Sequence, residues 1–214
     1  MRELLHYLKS LASIEGLTTL TASYGTAMYG ILIAIIFAET GLVVTPFLPG
    51  DSLLFTAGFV ANSTHQLNVF VLGGALIAAA IVGDTVNYHV GRAIGPRVMK
   101  DGNSKIFRKE YLDQTHAYFE KYGGKTIILA RFVPIVRTFA PFVAGAGTMS
   151  YAKFITFNIV GAVAWVTLMM GAGVALGGLA VVQHHFEKVV ILIVLVSVLP
   201  MVLEVLKARR AKKP

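Results

Sequence analysis

Long apolar runs separated by short polar stretches dominate the chain. Three are long enough to cross a bilayer as helices: residues 67–91, 154–178 and 189–206. About twenty consecutive apolar residues span the hydrocarbon core. Two further apolar regions, 26–61 and 125–150, are interrupted. The first runs from apolar 27–38 through Glu39, Pro46, Pro49 and Gly50 to apolar 53–61, and the second carries Pro134, Pro141, Gly145 and Gly147. Prolines and glycines break helices or permit tight turns, so each region is predicted as a hairpin. An amphipathic stretch precedes each one. Leu4, Leu5, Leu8 and Leu11 lie before the first, and Phe107, Tyr111, Leu112, Tyr118 and Phe119 before the second. Their three- and four-residue spacing fits helices lying along a membrane interface.

Composition agrees with an integral membrane protein: 56% of residues are hydrophobic and 14% charged, with a mean hydropathy of +0.70. The net charge of +8 comes from two clusters. One is the polar middle segment with Arg92, Arg97, Lys100, Lys105, Arg108, Lys109 and Lys121. The other is the tail with Lys207, Arg209, Arg210, Lys212 and Lys213. On a membrane protein such clusters mark cytoplasmic loops, so nucleic acid is not an expected partner. The positive-inside rule then places 92–125 and 207–214 in the cytoplasm and the connections 62–68 and 179–188 outside. Residues 125–150 begin and end on the cytoplasmic side. Some 25 residues cannot cross twice at 1.5 Å per residue, so this hairpin is expected to be re-entrant. The 26–61 hairpin enters from the outside on the same reasoning, although charge alone also allows 27–48 as a full span. The first twenty residues carry Glu3 and Glu15 and do not read as a secretory signal.

The two halves match. Tyr24-Gly25 precedes one hairpin and Tyr122-Gly123 the other, and a shift of about 98 positions lays Glu39-Thr40 on Arg137-Thr138. Each hairpin is followed by a glycine-bearing span, with Gly73 and Gly83 in one and Gly161 and Gly171 in the other. The expected fold is an all-α integral membrane protein, one membrane domain over 1–214. It is built as an inverted repeat of two units, each an amphipathic helix, a re-entrant hairpin and a transmembrane helix. Repeat 1 covers about 1–92 and repeat 2 about 103–178. A C-terminal transmembrane helix at 189–206 and a basic cytoplasmic tail at 207–214 follow.

Four charges interrupt the hairpins: Glu39 and Asp51 in the first, Arg131 and Arg137 in the second. An ionised side chain at the bilayer centre costs roughly 2.5–3.5 kcal/mol on insertion scales, and such residues face a protein interior or a watery cavity. Arginine presents a planar, permanently charged fork suited to phosphate oxygens. Its structural alternative is a buried salt bridge, here to Glu39 and Asp51. A buried carboxylate can carry a proton, because desolvation favours its neutral form and a neighbouring guanidinium its charged form. Asp51 also stands where a helix N-cap would follow Pro49-Gly50, with Ser52 assisting. Asp84 lies near the inner end of its span with Asn87 and Tyr88 a turn later, placed to anchor Arg92 or hairpin backbone. Trp165 reads as packing within its span.

The motifs resemble those of the DedA family of bacterial inner-membrane proteins. Phe37-Ala38-Glu39-Thr40-Gly41 with Pro46-Phe47-Leu48-Pro49-Gly50-Asp51-Ser52 is similar to its first signature. Gly83-Asp84 with Asn87, Tyr88, Gly91 and Arg92 is similar to its second. Arg131-Phe132-Val133-Pro134-Ile135-Val136-Arg137-Thr138, continuing through Pro141 and Ala144-Gly145, is similar to its third. The resemblance covers about 24–178 and implies a lipid translocase, several members returning undecaprenyl phosphate to the cytoplasmic leaflet, with dependence on the proton motive force. It maps the family's important acids and arginines onto Glu39, Asp51, Arg131 and Arg137. The wider VTT or SNARE-associated-domain superfamily includes phospholipid scramblases.

The expected partners are therefore a membrane lipid, undecaprenyl phosphate above all, and protons. Arg131 and Arg137 are the expected substrate ligands, and Glu39 and Asp51 the proton-coupling acids. Asp84, Arg92, Thr40, Ser52, Thr138, Pro46, Pro49, Pro134 and Pro141 are expected in support. No metal or cofactor is expected: the chain has no cysteine, and His184-His185 is an adjacent pair, not a metal spacing. Competing readings are a phospholipid scramblase, a proton-coupled exporter of small cations, and an intramembrane lipid phosphatase. The last is opposed by the want of an evident nucleophile and acid–base constellation in the spans.

Overall fold

The computed structural model describes residues 14–42, 50–101, 109–147, 149–177 and 179. The leucines of 4–11, Pro46, Pro49, Phe107, the span 189–206 and the tail 207–214 lie outside the described residues. Among the described residues the order is α1 (Ile14–Tyr24), α2 (Ala27–Gly41), α3 (Gly50–Thr64), α4 (Val69–Asp101), α5 (Lys109–Tyr122), a 3-10 turn (Gly123–Lys125), α6 (Thr126–Ala130), α7 (Pro134–Ala146) and α8 (Tyr151–Gly177). The all-helical expectation holds for them.

Local chemistry fixes the helix ends. α1 stops at Gly25, whose φ of +52° is left-handed and whose N–H donates to Thr21 O at 2.8 Å, the usual glycine-closed C-terminus. Gly123, φ +56°, ends α5 in the same way. These are the two Tyr-Gly pairs that precede the hairpins. α4 starts at a side-chain cap: Asn68 Oδ1 accepts the N–H groups of Phe70 and Val71 at 3.0 and 3.1 Å.

Two stretches, Val69–Gly95 and Tyr151–Gly177, are 27 residues long and apolar enough to cross a membrane. At 1.5 Å per residue each reaches about 40 Å. They match the expected spans 67–91 and 154–178, although α4 runs on to Asp101, ten residues past the expected end. On α4, Val82, Val86, Val90 and Ile94 are exposed at four-residue intervals, while Asp84, Asn87 and Tyr88 are buried. Apolar side chains outward and polar ones inward reverse the pattern of a soluble helix. Ile159, Val160, Val163 and Leu168 repeat it on α8, opposite buried Asn158 and Trp165. α2 and α3, 15 residues each, and α6 and α7, five and 13, are shorter than the ~20 residues a spanning helix needs.

The described residues fall into two compact units. The first takes in 14–36, 50–79 and 163–177. Its centre is α3, buried from Gly50 to Ala61 except at Asp51. A Cβ at Gly58 would overlap the Met170 backbone, and one at Gly173 the Phe55 backbone, so α3 and α8 meet backbone to backbone. The second takes in 37–42, 80–101, 109–147 and 149–162. Tyr88, Ile127, Ala130, Val133, Val136, Ala140, Ala144 and Phe154 form its apolar core, with Tyr118 and Phe119 of the amphipathic α5 packed on it.

The two prolines of the second hairpin play different parts. Pro134 is the first residue of α7, and Val133 before it is extended at φ −127°, ψ 104°, the conformation a following proline imposes. Pro141 was expected to break or turn the chain, yet it lies inside α7. With most of α7 buried, packing holds the helix together across the one backbone donor that proline lacks. Gly145, expected at a turn, is also helical. A Cβ there would overlap the Tyr88 carbonyl, and one at Gly91 the Phe142 carbonyl, so α4 and α7 pack as closely as two helices can.

Substituting Gly145 by alanine should therefore lower the melting temperature in detergent by several degrees, because backbone on α4 must move to make room. Gly74 has open space around its Cβ position, and Gly74→Ala should be neutral or stabilising through helix propensity. Equal melting temperatures for the two variants would contradict the α4–α7 contact.

Candidate functional site: two buried ion pairs at a broken helix

The site grows from the break between α6 and α7. Here the N–H groups of Arg131, Phe132 and Val133 donate to the carbonyls of Ile128, Leu129 and Ala130 at 3.4, 3.2 and 2.8 Å. That i→i−3 winding is tighter than an α-helix, and Pro134 restarts the chain as α7. Arg131 stands on the first residue of this break and is only 2% exposed. Its Nη2 donates to Asp84 Oδ2 of α4 and to Asn158 Oδ1 of α8, both at 2.6 Å. Asn158 in turn donates its Nδ2 to Ile81 O at 3.1 Å. One guanidinium thus ties the break to both long helices.

Arg137, in the first turn of α7, makes the second pair, donating its Nη2 to Glu39 Oε1 near the end of α2. The partners are 8% and 3% exposed and 98 positions apart. The two pairs are not independent. Asp84 feels the charge of Arg137 as well as that of Arg131, and Arg131 feels both Arg137 and Glu39. Two carboxylates and two guanidiniums therefore form one coupled cluster whose formal charges cancel.

Asn87, three residues beyond Asp84, holds the flanking backbone. Its Nδ2 donates to Thr40 O at 3.2 Å and to Thr138 O at 2.9 Å. These carbonyls belong to the residues immediately after Glu39 and Arg137, so Asn87 fixes the register of both pair members. Thr40 and Thr138 are themselves buried, and the Thr40 hydroxyl reaches Phe37 O at 3.4 Å.

Asp51 belongs to the first unit, and there Trp165 Nε1 donates to its Oδ1 at 2.7 Å. The indole is fully buried, so the tryptophan packs as expected and also serves a carboxylate. Asp51 is the second residue of α3 and lies inside the helix start, not at the cap position before it. Ser52 is buried, and its carbonyl accepts the Thr56 hydroxyl at 2.7 Å.

The geometry corrects two expectations. Arg131 takes Asp84 as its carboxylate partner, where the salt-bridge alternative offered Glu39 and Asp51 to the two arginines. Asp84 was expected to anchor Arg92 or hairpin backbone; it takes the Arg131 side chain of the second hairpin, and Arg92 is exposed. Of the other expected support residues, Pro134 starts α7 and Pro141 lies within it, while Pro46 and Pro49 are outside the described residues. Sequence reasoning passed over Asn158. An amide in the middle of the apolar run 154–178 was the available signal, since polar groups in spans also seek partners.

Chemically the cluster offers two planar cationic forks beside two proton-accepting oxygen pairs in a setting sheltered from water. Among the described residues no group of three or more His, Asp or Glu side chains gathers to hold a metal ion.

Outward-facing valines and isoleucines over buried ion pairs define an all-helical membrane protein. Residues 48–175 match the VTT domain. Over 196 residues the chain is 55% identical to protein DedA of Escherichia coli (strain K12), covering 91% of this chain and 90% of that protein. It is 43% identical over 191 residues to an uncharacterized membrane protein of Mycobacterium tuberculosis (strain H37Rv), covering 89% and 84%. Identity to the inner membrane protein YqjA of E. coli K12 is 31% over 177 residues, covering 82% and 79%. The chain belongs to the VTT-domain, or DedA, family of membrane proteins. No solved structure matches it.

A double-mutant cycle tests the pairing. Arg131→Met or Asp84→Leu alone leaves an opposite charge buried without its partner, a loss of about 3–5 kcal/mol. The double variant should cost clearly less than the sum of the singles in detergent denaturation. Strict additivity would show that Arg131 and Asp84 do not stabilise one another.

Proposed function

We infer that the protein is a lipid translocase of the bacterial inner membrane. It moves a polyprenyl phosphate, undecaprenyl phosphate above all, toward the cytoplasmic leaflet for reuse, with coupling to the proton motive force. The observation that supports this most is the Arg137–Glu39 pair beside Arg131–Asp84. A charge-neutral cluster in an apolar surround can release a guanidinium to an incoming phosphate only if its carboxylate is neutralised. A proton supplies that neutralisation, so anion binding and proton uptake are linked. Asp51, held by Trp165, is a second acid able to exchange a proton.

On this reading Arg131 and Arg137 receive the headgroup, Glu39 and Asp51 exchange protons, and the prenyl tail stays in lipid. The role is transport without covalent chemistry. The short helices α2 and α3, and likewise α6 and α7, are the arms of two re-entrant hairpins entering from opposite faces as an inverted repeat. The C-terminus lies in the cytoplasm. The name of the inner membrane protein YqjA, with which the chain shares 31% identity, supports the location.

Proteoliposomes with leaflet-resolved undecaprenyl phosphate test the activity. Arg137→Ala and Glu39→Ala should slow translocation at least tenfold, and an imposed pH gradient should change the wild-type rate. Wild-type rates in both variants would remove the site assignment, and release of inorganic phosphate in place of movement would favour an enzyme. Indifference to the gradient would argue against proton coupling. The topology has a separate check, made clean by the absence of native cysteine. Single cysteines at Ser63 and Met149 should label from opposite sides of the membrane, and labelling from the same side would remove the inverted arrangement.

A further inference from the structure

Asn87 has a polar atom left over. It is fully buried, and its Nδ2 donates both hydrogens, to Thr40 O and Thr138 O. Both acceptors are carbonyls, so the carboxamide cannot be turned round: an oxygen placed there would face two other oxygens. Asn87 Oδ1 is thereby committed to the opposite side, where it has no hydrogen-bond partner among the described residues. Buried polar atoms in native proteins are nearly always paired, and an exception calls for a ligand or a function. Oδ1 is an acceptor only, so what belongs there is an O–H or N–H donor. Its carboxamide holds the residues next to Glu39 and Arg137 and sits one helical turn from Asp84.

Guanidiniums donate to phosphate oxygens but read nothing about a phosphate's own proton. An acceptor beside them does. A phosphate monoester has a second pKa of about 6, so about half of it carries one P–O–H at pH 6 and about a tenth at pH 7. A phosphodiester headgroup carries none. We propose that Asn87 is a specificity-determining residue whose Oδ1 accepts the P–O–H of a singly protonated phosphate monoester held by the neighbouring arginines. Diester lipids are then disfavoured because they leave Oδ1 unpaired. This deepens the translocase reading and rests on it: the substrate class narrows to monoesters, and the substrate itself brings one proton into the cluster.

The test compares undecaprenyl phosphate with its methyl ester, which keeps the tail and loses the hydroxyl, in proteoliposomes at pH 6, where about half of the monoester carries that hydroxyl. Wild type should move the monoester roughly tenfold faster, the scale of leaving one buried acceptor unmade. Asn87→Leu, similar in size and without polar atoms, should bring the ratio to within about twofold of unity. Because it also releases the Thr40 and Thr138 carbonyls, this variant should slow both lipids, and for that reason the ratio is the deciding readout. A variant that slows both and keeps the wild-type ratio would reduce Asn87 to a backbone clamp and overturn the proposal. Wild type moving both lipids alike would overturn it without any variant, while leaving the translocase reading intact. Wild type moving neither would bring down that reading, and this inference with it.

Discussion

A buried charge must have a partner, and the second unit of this protein is arranged around that requirement. Arg131 could not occupy the break between α6 and α7 without Asp84 and Asn158 to receive it. Removing either partner strands the guanidinium in a place where desolvation costs several kcal/mol. Arg137 and Glu39 impose the same condition on α7 and α2. Together the pairs bind α2, α4, the break, α7 and α8 to one small volume of polar atoms. Burying such pairs is nevertheless poor evidence of a drive for stability, since well-packed apolar residues of similar size are often as stable or more so. What the pairs contribute that leucines could not is a choice of partners.

Small residues and prolines make that volume accessible to the right groups. Pro134 forces Val133 into an extended conformation, and the chain turns there with Arg131 at the start of the break. Gly145 and Gly91 let the α7 and α4 backbones touch, and that contact brings Asn87 within reach of Thr138 O. A methyl group at either glycine would push the helices apart and draw the carboxamide off its acceptors. Packing without side chains and pairing without water are therefore two aspects of one arrangement.

Much of this was legible in the chain itself. The apolar periods gave both long helices, and the Tyr-Gly pairs do close α1 and α5 through left-handed glycines. The intramembrane cost of charge picked out Glu39, Arg131 and Arg137, and the 98-residue shift that aligned Glu39 with Arg137 joined two residues that touch. What could not be read was partner choice. Asp84 and Asp51 are equally costly in an apolar run, and nothing in spacing tells which one a distant arginine will meet. Asn158 was missed because an amide carries no charge and stands out less, though burial imposes the same need on it. Pro141 was misread because sequence shows the lost donor and not the packing that outweighs it.

Charge balance carries the argument from structure to transport. The cluster of Glu39, Asp84, Arg131 and Arg137 sums to zero when all four are ionised, so an added phosphate unbalances it by at least one negative charge. In a low-dielectric site that imbalance is costly, as unit charges 4 Å apart interact by about 4 kcal/mol even at an effective dielectric of 20. The imbalance disappears if one proton settles on a carboxylate for each singly charged headgroup; a doubly charged one needs a second proton, which can ride on the phosphate itself. On the proposed reading, proton coupling is therefore a consequence of using carboxylates as the resting partners of the arginines. A translocase whose resting arginines were met by backbone carbonyls would bind the same headgroup with no need of a proton. The pairing of Arg137 with Glu39 is the feature that separates the two designs.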